Sequence, residues 1–317
     1  MEMEIYFLGT GAGMPSKERN VTSIMLNLLA ERNAYWMFDC GEGTQHQILR
    51  APVKISKLEK LFITHLHGDH IYGLPGLMSS RSYQGGDTPF TIYGPRGIRE
   101  FIETSLRISD SHLGYETHIV EMEEESSGLL FEDNQVRVEY APLVHRIASF
   151  GFRITEKDQP GKLLTDRLRE LGVEAGPQYG RIKKGQPAVL ADGREIAASE
   201  FLGPPVPGRI ITILGDTQPC DNAVALASQA DLLVHEATFA EARKEMAIRY
   251  DHSTAMDAAR TAQQAGVGTL IMTHISSRYQ EHAADELLRE AQSIHPQTYL
   301  AADHFRLDIP LRGGRGH

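Results

Sequence analysis

Cysteine is nearly absent: Cys40 and Cys220 are the only two in 317 residues. They form no CxxC pair and no disulfide framework, which suits a reducing cytoplasm, and they read as two small buried side chains. No run of about eighteen apolar residues occurs, so no transmembrane helix is expected. The start, Met1-Glu2-Met3-Glu4, is acidic and leads straight into a strand-like segment. It lacks the basic opening and small-residue cleavage site of a signal peptide. Short repeats and low-complexity blocks are missing too. Positive charge is in deficit, with 32 Lys and Arg against 42 Asp and Glu, a formal net charge of -10. That argues against coating nucleic acid by bulk electrostatics, but it leaves room for a local basic patch. It also suits a site whose carboxylates hold divalent cations. The length is ample for a large core, as one big α/β domain or two.

What is present is concentrated in His65-Leu66-His67-Gly68-Asp69-His70. Three imidazoles and a carboxylate fall within six residues. They follow the apolar run Leu61-Phe62-Ile63-Thr64, which reads as a buried strand, and precede a helical pattern from His70 to about Arg81. A His-rich surface loop is the competing explanation, and metal-ligand preferences make it the poorer one. His65 and His67 flank an apolar Leu, so extended geometry turns both to one side. Gly68 lets the chain turn back and bring Asp69 and His70 to the same point.

The pattern recurs. Strands are expected at Met3–Leu8, Thr22–Leu28, Ala34–Phe38, Val136–Tyr140, Phe150–Ile154, Ile210–Leu214, Leu232–Val234 and Thr269–Met272. Thr22–Leu28 and Ala34–Phe38 form a hairpin through Glu31-Arg32-Asn33. Helices are expected from Thr44, at Pro95–Leu106, Phe239–Arg249, Thr254–Ala265 and Ala283–Ser293. His145, Asp216 and His274 each follow a strand-like run within a few residues, and in α/β sheets ligands bind beyond the carboxyl ends of strands. With His65, His67, Asp69 and His70 they make seven candidates. Seven is too many for one tetrahedral zinc and suits two metals, with an Asp as the natural bridge. His252, at a helix start with Ser253 or itself near the cap, pairs with Glu236 as a general acid outside the metal shell. The competing reading is that His252 merely begins a helix. His235 reads as structural. Zinc is the default for such donors; manganese or iron can occupy similar sites.

The segment from about Lys157 to Pro207 breaks this rhythm with many Gly and Pro residues and clustered charge. Between Arg153 and Gly185 eight basic residues face five acidic ones. This is either a solvated surface excursion or an inserted arm that touches an anionic partner.

The signature His65-x-His67-x-Asp69-His70 matches in full that of the metallo-β-lactamase superfamily, which the chain resembles. From the first strand to a last strand near Asp303 it resembles the ribonuclease Z family, the tRNA 3′-processing endoribonucleases. Pro15-Ser16-Lys17-Glu18-Arg19-Asn20 resembles that family's Pro-x-Lys-x-Arg-Asn loop. His235-Glu236-Ala237-Thr238 and His252-Ser253-Thr254 resemble its later motifs, and Gly176-Pro177-Gln178-Tyr179-Gly180-Arg181-Ile182-Lys183-Lys184-Gly185 resembles the tip of its flexible arm.

The resemblance implies one metallo-β-lactamase domain over 1–317, a four-layer αββα sandwich with an arm at 155–207. It implies His65, His67 and His145 on one zinc, Asp69, His70 and His274 on the other, and Asp216 bridging. Metal-activated hydroxide would attack the phosphorus after the discriminator nucleotide, leaving a tRNA 3′-hydroxyl and a trailer 5′-phosphate. Asp69 would position or deprotonate the water. His252, held by Glu236, would protonate the departing 3′ oxygen. Lys17, Arg19 and Asn20 would lie near the RNA 3′ end and disfavour CCA-bearing tRNA. Gly176, Pro177, Arg181, Lys183 and Lys184 would grip the tRNA elbow by shape rather than sequence. A homodimer with the arm serving the partner's site is implied as well, in the cytoplasm and off the membrane. Gln218 stands where some relatives carry Arg, which weakens the case for a phosphate contact there. The tail Leu311–His317 reads as disordered, with His317 away from any metal. A small-molecule phosphodiesterase or hydrolase on the same dinuclear site is the alternative. A decayed, non-catalytic RNA-binding subunit fits less well with a complete set of candidates.

Overall fold

Tyr35-Trp36-Met37-Phe38 is apolar throughout because both faces of its strand are covered, and Ala34–Phe38 is buried at every position. Alternation sends Trp36 and Phe38 to one face and Tyr35 and Met37 to the other. On one face Phe38 stacks on Phe62 at 4.8 Å between ring centroids and Phe62 on Tyr93 at 5.2 Å. Phe152 and Phe131, from the facing sheet, close this seam at 5.3 and 6.4 Å from Phe62. On the other face Tyr35 and Met37 pack with Leu74, Leu77, Met78, Ile98 and Ile102 of overlying helices. Full burial of a side chain such as Phe62 contributes about 2–3 kcal/mol.

These contacts belong to a computed structural model that describes residues 3–189 and 193–312. Met1, Glu2 and the tail residues Gly313–His317, including the expectation about His317, lie outside the described residues. Two seven-stranded sheets face each other. The first runs Arg306–Asp308, Glu4–Gly9, Ser23–Leu28, Ala34–Phe38, Leu58–Phe62, Phe90–Pro95, Thr117–Met122. Its first four strands pair antiparallel and the rest parallel. The second runs Thr298–Leu300, Thr269–Thr273, Leu232–Glu236, Ile210–Leu214, Phe150–Glu156, Val136–Pro142, Gly128–Glu132, with its first four strands parallel. Helices Asp221–Ala227, Ala255–Ala265 and Ala284–Gln292 pack an Ala-rich layer on the second sheet. The result is the αββα sandwich that the resemblance implies.

Local differences have physical causes. The expected hairpin carries one helical turn, Leu29–Arg32, closed by Asn33 in the left-handed region at φ 57°. The pattern from His70 to Arg81 splits into Gly68–Ile71 and Leu74–Tyr83. Gly68 opens the first of these helices, and the Tyr72 ring covers it so closely that a Cβ would lie 2.2 Å away. Pro95 ends a strand instead of opening a helix, which begins at Ile98. The helix after His252 is capped by Thr254, not by Ser253 or His252. The Thr254 hydroxyl accepts from Asp257 N–H and the Asp257 carboxylate accepts from Thr254 N–H. Asp303 lies between the last two strands, Thr298–Leu300 and Arg306–Asp308.

Residues Thr155–Arg209, with Asp133–Arg137 and the segment from Pro310, form a second compact unit. It has its own core of Leu163, Leu168, Val173, Ile182, Ala198 and Phe201. Helices Thr165–Glu170 and Pro177–Lys183 and the strand pair Ala188–Val189 with Glu195–Ile196 build it. The buried Arg209 grips Glu156 through Nε at 2.8 Å and Nη2 at 2.9 Å. Burial pushes the Glu156 carboxyl upward, but the Arg209 hydrogen bonds and charge outweigh it and hold it below its usual value. Arg181, Lys183 and Lys184 are exposed beside buried Ile182, and Gly176 and Pro177 open their helix.

Candidate metal centre

Seven polar side chains meet where strands of both sheets end. His65, His67, His145 and Asp216 offer one group of ligand atoms within 4.8 Å of one another, and Asp69, His70 and His274 offer another; Asp216 and His274 stand that close to His252 as well. One Asp216 oxygen, Oδ2, faces both groups, 3.6 Å from His65 Nε2, 3.5 Å from His70 Nε2 and 3.2 Å from His274 Nε2. Tight backbone approaches make this convergence possible. A Cβ on Gly215, just before Asp216, would sit 2.6 Å from Thr64 Cβ, and one on Gly41 would sit 2.3 Å from the Asp69 carbonyl. Asp39 and His274 both stand one residue past a strand end in the left-handed region, at φ 57°. For His274 that conformation costs about 1–2 kcal/mol, local strain of the kind that gathers at functional sites.

Hydrogen bonds fix which ring nitrogens point inward. His70 Nδ1 donates to Asp39 Oδ2 at 2.7 Å. The Thr64 hydroxyl donates to the same oxygen at 2.8 Å, so it accepts from His65 Nδ1 at 3.0 Å. His145 Nδ1 donates to the Asp251 carbonyl at 2.7 Å. The Thr238 hydroxyl gives its proton to an acceptor-only oxygen, Glu236 Oε2 at 2.7 Å or the His274 carbonyl at 3.0 Å, so it accepts from His274 Nδ1 at 3.0 Å. In the neutral form each of these four rings would turn a bare Nε2 lone pair inward. His70 Nε2 faces His274 Nε2 at 3.3 Å, and His67 Nδ1 lies 3.0 Å from His65 Nε2 and 3.3 Å from His145 Nε2. Such facing nitrogens beside two carboxylates need a proton or a metal cation between them. Outer partners that fix the tautomer are the usual support of metal-ligating histidines.

The charge balance points the same way. Burial raises the Asp216 carboxyl, but His274, His70 and His65 hold it well below the carboxylate range. Burial also works against a charged His70, yet Asp216 and Asp39 lift it well above the ordinary imidazole value. Burial holds His65 well below that value, and it lowers His67 and His145 too, assisted for His67 by the neighbouring His145. The site draws in positive charge, and its imidazole and carboxylate donors suit a divalent metal.

Beside it stand the buried Glu236 and half-buried His252, joined at 2.8 Å between Oε1 and Nδ1. Glu236 is locked by N–H groups of Thr217 at 3.0 Å and Thr238 at 3.2 Å and by the Thr238 hydroxyl. Burial disfavours a charged His252, but Glu236 and then Asp216 outweigh it and push its pKa up to about 9. With Nδ1 given to Glu236, His252 keeps only Nε2 free. His235 is fully buried and donates Nδ1 to the Glu236 carbonyl at 2.7 Å.

A cavity of about 270 Å³ opens onto Asp69, Asp216, His252 and His274, and Arg146, Tyr250 and Arg278 line it as well. Lys17 is exposed beside a second cavity of about 300 Å³. Arg19 turns inward, its Nη1 donating to Thr10 Oγ1 at 2.7 Å and to the Ala301 carbonyl at 2.6 Å. Asn20 N–H donates to Asp303 at 2.7 Å and its amide to the Glu42 carbonyl. Arg181, Lys183, Lys184, Gly176 and Pro177 belong to the second compact unit. Sequence reasoning passed over Asp39 and Thr64. Asp39 carried the same signal as the ligands, an acid directly after an apolar strand. Nothing in the sequence singled out Arg146, Tyr250 or Arg278.

Residues 3–158 match the family model described as anti-Pycsar protein Apyc1. A ribonuclease Z of Geobacillus kaustophilus is 54% identical over 308 residues, covering 97% of this chain and 99% of that protein. One of Bacillus cereus is 55% identical over 301 residues, covering 95% and 97%. The crystal structure of the short form of human tRNase Z superposes with a TM-score of 0.70 at 34% identity, covering 97% of this chain and 100% of that one. The metallo-β-lactamase fold protein YhfI from Bacillus subtilis shares the fold, with a TM-score of 0.66 at 17% identity over 97% of this chain and 100% of that one. Identity at this level along almost the whole of both chains makes this protein a member of the ribonuclease Z family.

Proposed function

We propose that this enzyme removes the 3′ trailer from precursor tRNA, cutting after the discriminator nucleotide. The observation that carries the chemistry is the His252–Glu236 pair, 2.8 Å apart, beside an Asp216 oxygen that lies 3.6 Å from His65, 3.5 Å from His70 and 3.2 Å from His274. His65, His67 and His145 would hold one zinc, Asp69, His70 and His274 a second, and Asp216 both. When bound, such ions supply Lewis-acid stabilisation of phosphoryl charge and make water more acidic.

The chain's own residues do the rest. Asp69 Oδ2 accepts the Gly13 N–H at 2.8 Å, which fixes the carboxylate at the cavity wall. There it orients the attacking water and takes its proton. The water oxygen bonds to phosphorus and the P–O3′ bond breaks. Protonated His252 gives its Nε2 proton to the departing 3′ oxygen while Glu236 holds Nδ1. The products are a tRNA 3′-hydroxyl and a trailer 5′-phosphate. The exposed Arg181, Lys183 and Lys184 would bind phosphates of the folded tRNA as an arm within 155–207, and Lys17 would lie near its 3′ end. Arg19 and Asn20, with bonds to Thr10, Ala301 and Asp303, would anchor that loop. A homodimer fits this division of labour. Among the described residues no helix is long and apolar enough to cross a membrane.

The test is to incubate the purified protein with a trailer-bearing precursor tRNA and map both ends of the cut. A product ending at the discriminator with a 3′-hydroxyl is expected. Cleavage of small phosphodiesters with none of the precursor would overturn the assignment in favour of a small-molecule enzyme.

A further inference from the structure

Of the residues that line the reaction cavity, Tyr250 has no part in the chemistry above. It ends helix Lys244–Tyr250, and the next residue, Asp251, closes that helix in the left-handed conformation at φ 60°. His252 follows at once. Tyr250 is 40% exposed although its ring lies against buried Phe239, with centroids 6.5 Å apart and planes at 24°. Phe239 in turn meets the His252 ring edge-on at 6.2 Å. The three rings form a row from His252 to the part-exposed Tyr250, over whose ring the Arg249 guanidinium also lies, 5.7 Å from the centroid, so a stacking base would share that surface with a cation.

Arg146 stands on the same side. It follows metal-ligand candidate His145, and its Nε lies 3.5 Å from Asp251 Oδ2 while Nη2 donates to the Arg249 carbonyl at 3.4 Å. Asp251 also accepts His145 Nδ1 through its carbonyl. One residue thus ties a ligand, the guanidinium and the turn that carries Tyr250 and His252.

We propose that Tyr250 is the stacking platform for the base on the 5′ side of the cut and that Arg146 holds that nucleotide's own phosphate. This rests on the proposed function, since the leaving 3′ oxygen must approach His252. The base of the same nucleotide is separated from that oxygen only by its ribose, which brings it to the aromatic row. Stacking on an aromatic ring tolerates any base, as recognition of single-stranded RNA beside a cut requires.

The test uses the metal-loaded full-length enzyme and two precursor tRNAs, one intact and one abasic at the discriminator position. Y250A is expected to lower kcat/KM on the intact precursor about 10- to 100-fold, and Y250F to stay within about twofold of wild type. On the abasic precursor the wild type drops to the Y250A level and Y250A loses nothing further. R146A is expected to make the salt dependence of binding shallower by about one unit of slope. Equal loss by Y250A on both precursors would overturn the stacking role, as would wild-type cleavage of the abasic RNA at the intact rate. The latter decides the matter even if Y250A fails to fold. An unchanged salt slope in R146A overturns the phosphate contact. Failure of the wild type to cut the intact precursor at the discriminator overturns the function itself, and this inference with it.

Discussion

Asp39→Asn separates the support of the metal site from its ligands. Asp39 accepts the Thr64 N–H at 2.7 Å, the Thr64 hydroxyl at 2.8 Å and His70 Nδ1 at 2.7 Å. An Asn keeps the volume and tolerates the left-handed backbone at φ 57° at least as well. It has only one accepting oxygen, so its amide group meets donors from His70 and Thr64. His70 must then move its proton to Nε2, the inward atom, or swing away. Through Thr64 the same change loosens His65, which belongs to the other group of ligands. Loss of an outer partner costs about 10- to 100-fold in metal affinity, or about 1.4–2.7 kcal/mol. Here both ions should be weakened, whereas Thr64→Val should weaken chiefly the one held by His65. Competition with a chromophoric chelator, with stoichiometry from native mass spectrometry, measures this, and melting of the metal-free proteins controls for folding. Two ions held by Asp39→Asn at wild-type affinity would refute the reasoning.

Two other outcomes follow from the same structure. His252→Ala should slow precursor cleavage by about 10²–10⁴-fold, with most of that loss recovered on a substrate whose leaving atom is 3′ sulfur, which needs no proton; equal loss on both substrates would remove His252 from proton donation. Glu156 is held below its usual value by Arg209 despite burial, so its stabilisation is complete above the unfolded carboxyl value of about 4.3 and fades as pH falls through the lower folded value. Urea melts between pH 6 and pH 3 should show this decline in the wild type and less of it in Glu156→Gln; identical pH profiles would contradict the pairing.

The ligand cluster was legible because strand ends leave a one-dimensional mark: an apolar run, then His or Asp. Asp39 bears that mark after Ala34–Phe38, but its partners His70 and Thr64 lie on another strand's exit, and sequence alone does not join them. Strand Phe90–Pro95 was hidden by Gly94 and Pro95, which resemble a helix start. Thr117–Met122 alternates exposed and half-buried positions at a sheet edge, so it carries no apolar run. The small core around Leu168, Ile182 and Phe201 was obscured by the Gly, Pro and charge that surround it. Tyr250 and Arg146 bear no pattern at all; only the folded chain brings them to one cavity.

In the proposed mechanism two ions, sharing Asp216, drive cleavage of precursor tRNA. Adding zinc stepwise to the metal-free protein while following cleavage at the discriminator tests it most directly. Little activity is expected at one equivalent and full activity at two, with Asp216→Ala inert throughout. Full activity without metal, or saturation at one equivalent, would contradict it.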